Sequence, residues 1–90
     1  MEEEAVRYST VAIQTDGRTV WVHSDEGHTI GRFGPLGIDV HTADSTGCLH
    51  CTHGSTTVED WRIFVTAMLL HHGVDIPDRY MPERFRGSSD

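Results

Sequence analysis

The residues best suited to chemistry crowd into one stretch of a 90-residue chain: His41, Cys48, Cys51 and His53, with His50 inside the stretch and His28 ahead of it. A C-x2-C pair can aim two thiolates at one ion, and two imidazoles complete the tetrahedral donor set that Zn²⁺ favours. The pattern His41-x6-Cys48-x2-Cys51-x-His53 is therefore read as a zinc site, with His50 and His28 as substitute ligands. Bringing Cys51 and His53 to one ion requires a turn at Thr52. Bound metal would add folding free energy to a domain whose small core leaves it marginal. Two plainer readings stand beside this one. The cysteines can be small apolar residues tucked under a helix, or the stretch can be a binding loop without metal.

Other chemistries fit these residues less well. A Cys48–Cys51 disulfide would close a very short loop and constrain the unfolded chain little. The acidic start Glu2-Glu3-Glu4 is unlike a secretory signal, so a cytoplasmic setting is expected, with the cysteines as thiols or ligands. Covalent haem attachment needs histidine directly after the second cysteine, and Thr52 stands there. A thioredoxin-like centre needs the pair at a helix start within a βαβ unit, which the sequence does not offer. A nucleophile could be assembled from Cys48 or Cys51, with His41 or His53 as base and Asp39 or Asp44 as orienter. Seven histidines in so short a chain make such proximity a matter of chance, and no enzyme is expected.

The formal charge of −7, from 14 acids against 7 bases, opposes nucleic acid unless the arginines cluster. Arg79, Arg84 and Arg86 do gather near the end with Tyr80 and Phe85 between them, but Asp75, Asp78 and Glu83 interleave and cancel them. Every base is an arginine; with no lysine, Schiff-base chemistry is excluded. No apolar run approaches the ~20 residues a bilayer demands.

The elements that must position these residues follow from periodicity. A strand is expected over 5–13, then Asp16-Gly17 as a two-residue hairpin turn, then a returning strand over 19–23 with Val20 and Val22 on one face and Trp21 and His23 on the other. Further strands are expected over 29–33 and 38–42, and a loop over 43–55. Val58, Trp61, Phe64, Val65, Met68, Leu69 and His72 fall at helical spacing. Thr56 and Glu59 form a capping-box pattern, and Gly73 suits the left-handed closing position. The segment 74–85 either packs back or offers a binding strip. The fold class is thus α+β, a three- to four-stranded antiparallel meander packed by one C-terminal helix. The chain reads as a single domain over 1–90, ordered from about 5 to 86 between polar ends.

The strings Arg32-Phe33-Gly34, Gly37-Ile38-Asp39-Val40-His41, Cys48-Leu49-His50-Cys51-Thr52-His53-Gly54 and Asp60-Trp61 with Phe64 resemble small uncharacterised proteins of bacteriophages and bacterial mobile elements. The resemblance runs from about Trp21 to Phe85. It implies a small acidic protein-binding module that blocks a host protein, such as a defence complex, and it assigns no residue roles. From the residues themselves, the expected contact surfaces are the Cys/His stretch, Trp21, and the tail residues Arg79, Tyr80, Arg84 and Phe85. A homodimer is the other expected association, since one-sided sheets pair through an uncovered face.

Overall fold

The computed structural model describes residues 12–86. Five strands run β1 (Ala12–Thr15), β2 (Val20–His23), β3 (Thr29–Gly34), β4 (Gly37–His41) and β5 (Cys48–His53), followed by helix α1 (Val58–His72), a 3-10 turn (Asp78–Tyr80) and the short helix α2 (Glu83–Arg86). The sheet is an antiparallel meander in sequence order, β1-β2-β3-β4-β5, with α1 packed on β3 and β4. The α+β class is as expected, with five strands in place of three or four. Most of the strand expected over 5–13 lies outside the described residues, as do residues 87–90.

Alternation explains which face is covered. Val20, Val22, Phe33, Ile38 and Val40 point to the helix and are fully buried, while Trp21, Arg32 and Asp39 between them point outward. Phe33 is the centre of the core. Its ring meets Trp61 edge-on at 5.3 Å and lies 5.7 Å from Phe64 and 6.0 Å from Phe85. Gly31 sits close under α1: a Cβ there would lie 2.6 Å from the Met68 sulfur, so a larger residue would have to displace Met68. The β1–β2 connection spans residues 16–19, longer than the two-residue turn expected. The Asp16 carboxylate, not turn type alone, holds it by accepting from Arg18 N and Thr19 N.

The helix begins one residue later than its sequence pattern suggests. Thr57 is the cap and Asp60 its reciprocal partner, in place of Thr56 and Glu59. Thr56 is buried, donates to the Gly34 carbonyl at 2.7 Å and accepts from Arg84. Gly73 closes the helix in the left-handed conformation, φ 69°. Val58 and Leu69, expected in the core stripe, lie at its exposed margins. The tail packs back: Val74, Ile76 and Pro82 are buried, and Glu83 N donates to the Gly17 carbonyl. Among the described residues no helix is long and apolar enough to cross a membrane.

Candidate functional site

Residues 48–53, expected as loop with a turn at Thr52, form the edge strand β5 instead. Gly37 pairs with His53, Asp39 with Cys51, and Val40 with His50, and then the register shifts so that His41 pairs with Cys48. Leu49 is the extra residue of a β-bulge. In a regular strand Cys48 and Cys51, three apart, would face opposite sides. The bulge cancels that parity. Both cysteines face outward with Asp39 and His41, while Leu49 and His50 face the helix.

On the outer side the structure joins Cys48 to Cys51 as a disulfide, with Cα atoms 6.2 Å apart. The expectation was thiols or metal ligands; the bulge places the two side chains side by side, where they are bonded. The His41 ring lies beside them, and the ligand atoms of His41, Cys48 and Cys51 all fall within 4.8 Å of one another. His41 Nδ1 is shut from solvent and has no hydrogen-bond partner among the described residues. The His72 Nε2–H donates to the His41 carbonyl at 2.7 Å, fixing the backbone of β4 at this point. His53 is exposed and is not in the cluster; it shares the outward face with Cys51 but stands two residues farther along β5, opposite Gly37 and away from His41 and Cys48. Among the substitute ligands, His50 faces the other side and His28 lies 3.6 Å from Glu26 in the β2–β3 turn. Asp39, opposite Cys51, is held by Arg32 at 2.5 Å.

The loop leading from β4 into β5 is organised by Asp44. Its carboxylate accepts from the Thr46 and Thr42 hydroxyls, both at 2.7 Å, and from Thr46 N at 3.2 Å. Those donors hold its pKa down to about 2. Asp16 is lowered for a related reason, the amide donors of Thr19 and Arg18.

The helix side of β5 carries a hollow of its own. An open groove of about 390 Å³ runs between β5 and α1, lined by Leu49 and His50 from the strand and Arg62, Ile63, Thr66, Ala67, Leu70 and His71 from the helix. Leu70, Leu49 and Ile63 are 77%, 42% and 45% exposed. Ile63 and Leu70 lie outside the core stripe that the sequence spacing defines. Yet Ile63, Ala67 and Leu70, at i, i+4 and i+7, are a second apolar stripe beside the first. No thiol lines this groove. A smaller hollow of about 320 Å³ on the outer face is lined by Thr29, Gly31, Arg32, Asp39 and His41.

The remaining expected contact residues divide. Trp21 is half-buried on the outer face, in a hollow with Gln14, His23 and Thr29. Arg84 donates to the Thr56 carbonyl and hydroxyl, and its guanidinium stacks on Phe85 at 4.2 Å. Tyr80 and Phe85 pack against the core. Arg79 is exposed, with its guanidinium 5.2 Å from the Tyr80 ring centre.

No protein-family model matches the chain, and neither a curated protein nor a solved structure matches it.

Proposed function

We propose that this chain is a protein-binding module that receives an extended, apolar and acidic segment of a partner protein in the groove between β5 and α1. The observation that carries this reading is the convergence of Leu49, Ile63 and Leu70 on one groove whose lining holds basic residues and no carboxylate, in a chain of net charge −7. Burying each of these three side chains in a complex is worth about 1 kcal/mol. Arg62 supplies a fixed positive charge, and His50 and His71 add hydrogen-bond donors at the rim. β5 is the last strand of the sheet, so its outer edge has no partner among the described residues. A segment added there would gain main-chain hydrogen bonds while its alternate side chains fill the groove. The resemblance to phage and mobile-element proteins supports a host protein as the partner and occlusion of its surface as the action.

Site-specific photocrosslinking tests the proposal. A benzophenone side chain at Thr66, inside the groove, should capture a peptide of apolar and acidic composition from bacterial lysate. Leu70→Asp should abolish that capture, whereas the probe at Gln14 on the other face should not yield it. A crosslink to a second copy of the chain, with doubled mass in solution, would replace the host partner with a homodimer. Labelling of unrelated peptides that Leu70→Asp leaves unchanged would overturn the reading.

A second reading is favoured by the cluster on the outer face. With Cys48 and Cys51 reduced, they and His41 supply three donors for a structural Zn²⁺. The ion would clip β5 to β4 beside the bulge. Zinc analysis of reduced protein purified without a histidine tag should give one equivalent; less than a tenth would end this reading.

A further inference from the structure

We propose that His41, Cys48 and Cys51 form an oxidant-gated zinc site, in which Zn²⁺ and the Cys48–Cys51 disulfide are alternative occupants of the same pair of sulfurs. This rests on the zinc reading just given and adds its regulation. The two states exclude each other, since sulfur spent on a disulfide is no longer the thiolate that Zn²⁺ requires.

One backbone serves both states. The Cα separation of 6.2 Å lies inside the roughly 4.4–6.8 Å that disulfides use. Around a tetrahedral Zn²⁺ with bonds of about 2.3 Å to sulfur, the two sulfurs stand about 3.8 Å apart. The three ligand atoms already lie within 4.8 Å of one another. Rotating the cysteine side chains therefore exchanges one state for the other, while the β4–β5 ladder stays in register. His41 Nδ1 is enclosed and unpaired among the described residues, a costly condition that coordination through that nitrogen would relieve. Access is one-sided, because Cys48 is exposed and Cys51 half-buried.

Reduction begins when a thiolate of a dithiol reductant attacks the exposed Cys48 sulfur. A mixed disulfide forms and Cys51 leaves as thiolate. The second reductant thiol then displaces Cys48, so the reductant ends as a disulfide and the protein gains two electrons. Zn²⁺ binds the two thiolates and the His41 imidazole, and any remaining thiol protons pass to solvent. In the reverse direction hydrogen peroxide takes two electrons from the thiolates. The sulfur–sulfur bond forms, the peroxide oxygens take up two protons as two molecules of water, and Zn²⁺ is released.

The test uses the full chain without a tag, prepared in disulfide and dithiothreitol-reduced forms, with Zn²⁺ titrated against a chromophoric chelator. The reduced form should bind one equivalent and the oxidised form less than a tenth. Hydrogen peroxide added to the zinc-loaded protein should release the metal in step with a loss of two mass units per chain. His41→Ala, which retains both cysteines, should weaken zinc binding at least tenfold and still form the disulfide. Because oxidised and reduced wild type are compared directly, the result does not depend on any variant folding. No zinc uptake by the reduced form would overturn both the zinc reading and the gate. Zinc uptake that is equal in the oxidised form, or that survives peroxide, would leave the zinc reading standing and overturn the gate. Unchanged affinity in His41→Ala would remove His41 from the site.

Discussion

Gly31 and Met68 offer a direct test of how α1 is seated on the sheet. A Cβ at Gly31 would lie 2.6 Å from Met68 Sδ, 3.0 Å from its Cε and 3.3 Å from the Phe64 ring. Ordinary contacts between such atoms begin near 3.5 Å, so Met68 must retreat by about 1 Å. Met68 is fully buried and cannot swing into solvent, but its three rotatable bonds soften the collision. Overpacking of this kind costs about 1–3 kcal/mol, and the stiffer unfolded chain of an alanine variant recovers about 0.4–1. Gly31→Ala should therefore destabilise by about 1–2 kcal/mol, lowering the melting temperature by roughly 4–15 °C for a domain of this size. Met68→Ala alone should cost about 2–5 kcal/mol through the cavity it leaves. Combined, the new Cβ occupies that cavity, so Gly31→Ala should become neutral or stabilising in the Met68→Ala background. The coupling should amount to about 1–3 kcal/mol. Urea denaturation of the four proteins, with unchanged slopes, measures it. Additivity within about 0.5 kcal/mol would refute the packing of Met68 over Gly31.

Four further outcomes are expected. Asp44 has its pKa lowered from 3.8 to about 2 in the folded protein, so the stability it confers is present above pH 3.8 and is lost as pH falls through about 2. Acid titration of stability should show this loss in the wild type and not in Asp44→Asn. Thr56→Val removes the donor to the Gly34 carbonyl and the acceptor for Arg84, and should cost about 1–3 kcal/mol by thermal melting. Leu70→Asp, at a position 77% exposed, should change stability by less than about 0.5 kcal/mol while removing groove binding. Reducing the Cys48–Cys51 bridge without metal should lower stability by about 2 kcal/mol at most, because its loop is so short.

The helix was the most legible element, since six apolar residues and His72 at helical spacing leave one face to bury and Gly73 marks the end. The cap stands one residue beyond the one the sequence pattern suggests because Thr56 and Thr57 are equivalent as letters. Only the tertiary partners of Thr56, the Gly34 carbonyl and Arg84, separate them. β5 was not legible for a comparable reason. The Leu49 bulge breaks the period-two alternation on which a strand assignment depends, and Cys, His and Thr dominate what remains. What makes 48–53 a strand is the exposed edge of β4, a long-range partner absent from local pattern. The same bulge decides the candidate site, joining Cys48, Cys51 and His41 and leaving out His53. The groove was visible in principle in Ile63, Ala67 and Leu70. Its significance required knowing that the core stripe ends at Phe64 and Met68 and that Leu49 arrives from the neighbouring strand.

The β5–α1 groove is proposed as a docking site for apolar, acidic chemistry. Titration of isotopically labelled protein with 4-phenylbutyrate, an apolar ring carrying a carboxylate, tests it by amide chemical-shift mapping. Saturable shifts confined to Leu49, His50, Arg62, Ile63, Leu70 and His71, weaker with the neutral amide and absent in Leu70→Asp, are the predicted result. Shifts scattered over the surface, or centred on Trp21 and Arg32 across the sheet, would contradict it.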